Sequence, residues 1–400
     1  MEIAPAQVPW DLASPEVIAD PYPAYQALRD ISPVRYVRVP AGVAPGIDQP
    51  IHSYALLRHA DVLAACRDPE TYSSNVTDTL KVLPRFTLNH DDPPRHTRLR
   101  RLVGRAFTPR RVTELEPWIQ STVSSLLDAL GDGPVDLIQG YAIPLPMRVI
   151  ATLLGIPPEQ YATFRTWSEA TITYKGISPE ERRARLGEMN RYLAEALTDR
   201  RQSPTGDMIS DLVHAEINGE TLTDPEALGF CITLLIGGNE TTTNLIGNMM
   251  HLLAQRPDLW QRAREDRALV EPIIEETLRY HSPVQRASRV ARRPIEIAGV
   301  TIPEGHLLDV FFGAANRDPA VHEDPDSFRI DRPAIDHVTF GLGNHFCMGA
   351  TLARTEARIT LDAFLDRFAT LDPGDEPPQR QNRSLMPFGF TSLPLVPRRG

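Results

Sequence analysis

The chain has 400 residues, of which 42% are hydrophobic and 24% charged, the balance of a folded globular protein rather than a disordered or fibrous one. Lys plus Arg number 42 and Asp plus Glu 52, a formal charge of −10, and an acidic whole argues against a general nucleic-acid binder. Three cysteines, Cys66, Cys231 and Cys347, are too few for a disulfide scaffold. Short strand signals come first, at 34–39 and 51–57, and these two segments suit each other as a pair. Residues 113–130 carry apolar side chains at helical spacing, and Gly131 follows as a stop. Residues 179–201 are charged and helix-favouring. Thr223 or Asp224 caps a longer helix, with Pro225 near its first position and an end near Gln255 before Pro257. At ~1.5 Å per residue it measures roughly 45 Å, and its 228–236 stretch is apolar on nearly every face, which predicts burial all round. A further helix covers 269–280, strands flank Ala298-Gly299 with another at 307–312, and a last amphipathic helix spans 349–368. The 37 prolines are scattered, as helix starts and stiff connections are. The opening segment lacks the basic-then-apolar pattern of a secretory leader, and the apolar run from Phe230 to Ile236 is far short of the ~20 residues of a membrane span. The expectation is a cytoplasmic, mainly α protein with a small β region, no membrane association and no linker dividing it.

The chemistry concentrates in two places. In Phe340-Gly341-Leu342-Gly343-Asn344-His345-Phe346-Cys347-Met348-Gly349 a cysteine lies in a glycine-rich loop directly ahead of a helix. Helix N-termini carry partial positive charge and unpaired N–H groups, which favour a thiolate, the form that binds metal. Taken alone, a free cysteine is more often a small buried hydrophobe. The second place is Gly237-Gly238-Asn239-Glu240-Thr241-Thr242-Thr243, inside the long helix. Two glycines and three threonines oppose helix propensity there, and a buried helix that breaks its own rules usually has a reason. Close helix packing is one such reason, and a reactive site is another. Elsewhere Glu276 and Arg279 stand at i, i+3, and His96 and Arg100 at i, i+4, each pair on one helical face. Arginines crowd 95–111, which alone reads equally as a solvated patch.

The cysteine loop resembles the haem-ligand loop of the cytochrome P-450 family, F-G-x-G-x-H-x-C-x-G, with every specified position matched. The helix segment looks like that family's acid–alcohol motif, [A/G]-G-x-[D/E]-T-[T/S]. Glu276-Thr277-Leu278-Arg279 matches its E-x-x-R motif, and His96-Thr97-Arg98-Leu99-Arg100 its H-x-x-x-R. The landmarks occur in family order from about Trp10 to Pro397, so the resemblance implies one haem domain over 1–400, a triangular-prism P-450 fold, and no fused reductase. It implies haem b between the long helix and the cysteine loop, with Cys347 as proximal thiolate ligand of the iron. His96, Arg100, Arg289 and His345 would bind the haem propionates, and Phe340, Gly341, Gly349 and Gly238 would line the cofactor. Glu240 and Thr241 would serve oxygen activation through an acid relay. Glu276, Arg279 and Arg332 would form a structural triad, although Arg329 stands where the family often has Asp.

The resemblance implies the activity of a bacterial-type haem-thiolate monooxygenase. It would insert one oxygen atom from O2 into a hydrophobic small molecule, by hydroxylation or epoxidation. Electrons would come from a separate ferredoxin and an NAD(P)H-dependent ferredoxin reductase, with Arg101, Arg105, Arg354 or Arg358 as docking cations. By family position the substrate pocket would draw on Leu80, Val82, Leu83, Phe86, Leu235, Gly238, Val284, Ala287, Phe388 and Phe390, an apolar and partly aromatic set. Lys81, Arg85 or Arg286 is a minor candidate for anchoring an anionic group. A peroxide-driven haem enzyme and a non-catalytic haem-binding sensor are the alternatives, and neither needs the acid–alcohol pair. A cysteine hydrolase would need a base and a third group beside Cys347, and the sequence offers only His345.

Overall fold

The computed structural model describes residues 12, 14–39, 51–80, 87–131, 133–172, 177–382 and 385–399. They form two compact units. One takes the described residues of Met1–Pro84, Glu271–Cys347 and Pro378–Thr391, and the other those of Arg85–Val270, Met348–Pro377 and Ser392–Gly400.

The first unit is built on a five-stranded sheet in the order Val34–Val39, Ile51–Leu56, Leu307–Val310, Ala287–Ala291, Tyr72–Ser73. The first two strands pair antiparallel, as their sequences suggest. The 307–310 strand joins them in parallel, Leu308 opposite Tyr54, and pairs antiparallel with 287–291 on its other side. Side chains alternate between faces, so Leu56, Leu308 and Val310 enter one core while Val37, Ala55 and Leu57 enter another with Tyr22, Tyr25 and Phe388. The hairpin Ile295–Ile297/Val300–Ile302 turns on Ala298 and Gly299, with φ of 52° and 78°. Positive φ at both central residues is what the type I′ two-residue hairpin turn requires.

The second unit is helical, with one small antiparallel sheet ordered Thr370–Pro373, Pro394–Arg398, Val135–Asp136. Its longest helix, Asp224–Ala254, is 31 residues long, and Thr223 and Glu226 close a reciprocal capping box at its start. The Pro109–Leu130 helix begins four residues before its apolar repeat, because Thr108 caps it and Pro109 occupies its first position. The long helix is most deeply buried over 242–250, not over 228–236. Leu228, Ile232, Leu234 and Ile236 are only half-buried, so a face of the helix is partly open where the sequence predicts full burial. Among the described residues no helix is long and apolar enough to cross a membrane.

Two histidines in the first unit give it a pH dependence. His59 and His322 are buried, with rings 6.4 Å apart and edge to face. Burial pushes both imidazoles down, His322 to about 4, helped by the Arg279 and Arg332 guanidinium groups. The native chain thus declines protons that the unfolded chain takes up. The stabilisation is full above the ordinary histidine value and is lost as pH falls from about 6.5 toward about 4, on the order of 3 kcal/mol for His322. Urea unfolding at pH 7 and pH 4.5 should show a smaller acid loss for His322→Phe than for the parent. Equal losses would show that His322 does not carry the effect.

Candidate haem-thiolate site

In the first unit the 340–347 loop is shaped by its own backbone. Gly341 and Gly343 adopt φ of 66° and 64°, the left-handed region that a side chain resists. The Gly341 N–H donates to Val338 O at 2.9 Å, and the Phe346 N–H to Gly343 O at 3.1 Å. The Cys347 N–H donates to Phe340 O at 2.8 Å, which closes the loop below the cysteine. Cys347 is exposed, whereas Cys66 and Cys231 are buried. Burial pushes the Cys66 thiol up and the Cys231 thiol up to about 12, so neither supplies a thiolate at neutral pH. The Phe340 ring stands edge to face with Phe346, with centroids 6.5 Å apart.

The loop is rooted in a polar core. Val338 N–H donates to Asn316 Oδ1 at 2.8 Å, and Asn316 Nδ2 donates to Ser282 Oγ at 2.6 Å and Thr339 Oγ1 at 2.8 Å. Asn316 is fully buried, and no sequence motif marked it. Beside it stands the expected triad. Arg279 grips Glu276 with two bonds of 2.7 Å, and Arg332 Nε reaches Glu276 Oε1 at 3.1 Å. Arg279 also donates to the carbonyls of Asn316, Pro325 and Ser327. Position 329 contributes its backbone N–H to Glu276 at 2.8 Å, while its guanidinium faces Asp331, Asp324 and Glu323 at 3.4–3.9 Å. The family's Asp at this position is therefore dispensable to the triad.

Arg289 lies on the 287–291 strand opposite Leu308 and is buried, donating to Ser288 O at 2.8 Å. His345 is half-buried in the loop's short helical turn, Gly343–His345. Arg286 pairs with Asp309 Oδ1 at 2.8 Å.

The second unit carries the acid–alcohol segment. Thr241 Oγ1 donates to Gly237 O at 2.6 Å. Its one proton is thereby used, and the hydroxyl oxygen is left as an acceptor. Glu240 is half-buried beside it. Gly238 serves helix packing: a Cβ there would stand 2.4 Å from Ile150 Cδ1, on the Pro144–Leu153 helix. The open glycine of this turn is Gly237, where a Cβ would meet nothing within 4 Å. Asn239 Nδ2 donates to Ser168 Oγ at 2.5 Å, and Thr243 Oγ1 to Ala142 O at 2.9 Å, so these neighbours tie the helix to others. On the Arg95–Ala106 helix His96 is buried, and burial together with the Arg100 charge pushes its imidazole down. It is therefore neutral at neutral pH, with one ring N–H to offer. Gly349 stands at the N-cap of the Ala350–Arg367 helix. On that helix Glu356 is fully buried with no hydrogen-bond partner among the described residues, and burial pushes its carboxyl well above the usual range.

The pocket residues divide. Val82, Leu83 and Phe86, with Lys81 and Arg85, lie outside the described residues, and Leu80 ends the Val76–Leu80 helix. Val284 and Ala287 are half-buried, as walls of a site are. Leu235 is fully buried. Phe388 and Phe390 are buried beneath the Arg380 guanidinium, at 4.2 and 3.9 Å from their ring centres, and Phe388 packs on Tyr22. These three are core before they are pocket. Of the arginines expected to meet an electron donor, Arg101 and Arg105 are exposed and Arg354 is half-buried, while Arg358 pairs with Glu116 at 2.8 Å. Arg95, Arg98, Arg110 and Arg111 are all paired with carboxylates. Most of the basic run is thus neutralised within the second unit, as a nucleic-acid surface would not be.

The residues fit a haem group: one exposed thiol on a preformed loop is a ligand type for iron, and a buried arginine on the 287–291 strand and a histidine within the loop are donor types for carboxylates. Comparison with known proteins agrees. Residues 174–395 match the family model "Cytochrome P450". Erythromycin C-12 hydroxylase of Saccharopolyspora erythraea is 39% identical, the match covering 85% of this chain and 88% of that protein. Vitamin D(3) 25-hydroxylase of Pseudonocardia autotrophica is 39% identical over 89% of each. The structure of cytochrome P450 CYP109Q5 from Chondromyces apiculatus superposes with a TM-score of 0.88 at 35% identity, over 98% of both chains. The protein belongs to the cytochrome P450 family, whose cofactor is haem iron, and is a monooxygenase of the bacterial type.

Proposed function

We propose that the chain is a single haem domain that hydroxylates or epoxidises a bulky hydrophobic molecule of sterol or macrolide size. The observation that carries this reading is the exposed Cys347 on a loop whose turns are fixed by Gly341, Gly343 and the Phe340 carbonyl. The size class is supported by the relatives named for erythromycin and vitamin D3. Cys347 would ligate the iron of haem b, and His96, Arg100, Arg289 and His345 would take its propionates. When bound, haem supplies the activation of dioxygen and the transfer of one oxygen atom. Glu240 takes up a proton from solvent and passes it toward Thr241 through water. Thr241 fixes that water with the lone pairs left free by its bond to Gly237 O. Half-buried Val284 and Ala287 would face the substrate. Electrons would come from a ferredoxin and its NAD(P)H-dependent reductase in the cytoplasm. Exposed Arg101 and Arg105 would meet the acidic donor, so added salt should slow reduction.

The test is Thr241→Ala. Haem content and substrate affinity should match the parent, because Thr241 contributes neither a ligand nor core packing. Product per NADPH should fall by roughly a hundredfold, the low end of what positioned proton transfer contributes, with the electrons recovered as peroxide. Unchanged coupling would remove Thr241 from the relay.

A further inference from the structure

The loop that presents Cys347 is also shaped from outside, by the His59–Arg67 helix. At Gly343 a Cβ would stand 2.6 Å from the Cys66 carbonyl oxygen and 3.5 Å from Arg67 Cα. This is backbone against backbone, which no change of rotamer relieves. One residue earlier, the Leu342 N–H faces the Cys66 thiol, and the Leu342 side chain packs in the same apolar cluster as Cys66. Cys66 is buried, so water does not replace that contact. The far end of the helix is pinned as well. The His59 N–H donates to Asp318 Oδ2 at 2.8 Å, two residues from the Asn316 that roots Val338 at the start of the loop. Helix and loop thus share one anchor, at 316–318, and meet again at Cys66 and Gly343.

We propose that the last turn of the His59–Arg67 helix is a positioning element for the Cys347 thiolate, with Cys66 and Gly343 as its contact pair. Cys66 accepts the Leu342 N–H and so fixes the turn that Gly343 makes. Gly343 lets that turn lie directly on the helix backbone. Without the contact the loop falls back on its own backbone bonds, and the thiolate is freer to leave its place. The inference rests on the haem-thiolate reading of Cys347.

The experiment uses the full, haem-loaded chain. The ferrous–carbonyl complex of the parent is examined first. Its thiolate-type Soret band is then followed in mild denaturant as it converts to the blue-shifted form in which the thiolate is lost. Cys66→Ala should convert about fivefold faster, the effect of one hydrogen bond of about 1 kcal/mol, with a shifted reduction potential. Cys66→Ser keeps an acceptor and should stay near the parent. Leu28→Ala empties part of the other core of this unit, to which no residue of the cysteine loop belongs, and should lower stability without changing conversion. Parental conversion and potential in Cys66→Ala overturn the proposal, and so does equal acceleration in Leu28→Ala. If Cys66→Ala does not retain haem, Cys66→Ser and Gly343→Ala decide: a parental rate for Gly343→Ala overturns it. A parent without the thiolate-type band defeats the haem-thiolate reading itself and this inference with it.

Discussion

Cys347→Ser is expected to abolish monooxygenase turnover and the thiolate-type Soret band while leaving the chain folded. Cys347 is exposed, so its sulfur contributes little to any core, and surface changes of this kind stay within about 0.5 kcal/mol. The loop's shape comes from backbone bonds and two left-handed glycines, which serine does not disturb. What is lost is the ionised donor: a hydroxyl does not ionise at neutral pH, and a thiolate is what pushes electron density onto haem iron. Neither remaining cysteine can stand in, because both are buried and burial keeps them protonated. Cys231→Ala therefore retains turnover. Product formation and the ferrous–carbonyl spectrum of the two variants check this. A thiolate-type band surviving in Cys347→Ser would refute the assignment.

The second large effect is on stability. Glu276→Leu should destabilise the protein by about 3–5 kcal/mol, the cost of leaving buried charge uncompensated. Glu276 and Arg279 are wholly buried, and the Arg332 side chain is 4% exposed, so removing the carboxylate strands two guanidinium groups in the interior. The carbonyls of Asn316, Pro325 and Ser327 still accept from Arg279, but they do not neutralise it. Asn316 also holds Val338, so the loss should reach the cysteine loop and speed haem release. Arg329→Ala is the contrast. Its ion pairs are 3.4–3.9 Å long and lie at the surface, and it should change stability by less than about 1 kcal/mol. Urea unfolding of both variants, with haem release followed optically, separates the two cases. A parental midpoint for Glu276→Leu would show that the triad is not what holds this unit.

The elements that the sequence announces are those with local causes. Thr223, Glu226 and Pro225 start the long helix through contacts within one turn, and Gly131 stops another through its own φ of 71°. The cysteine loop and the acid–alcohol segment are equally local in sequence, each a short run of glycines and polar residues that helix or loop propensity alone does not call for. The Glu276–Arg279–Arg332 triad was legible because two members are one helical face apart and the third lies in a recognisable segment. Pairings between distant segments left no such trace. Nothing periodic links Gly238 to Ile150, Asn239 to Ser168, or Gly343 to Cys66, yet these contacts decide which glycine is open and how the loop is held. The pocket was the least legible part for the same reason. Phe388 and Phe390 are apolar in sequence, and only the fold shows that Arg380 covers them.

One measurement bears most directly on the haem-thiolate assignment: the absorption spectrum of the purified, haem-replete chain, reduced and exposed to carbon monoxide. A thiolate-type Soret band, together with a shift of the ferric protein from low to high spin on adding a sterol or a macrolide, is the predicted result. A band of the neutral-ligand type on protein with full haem content would contradict it, and would return Cys347 to being an ordinary surface cysteine.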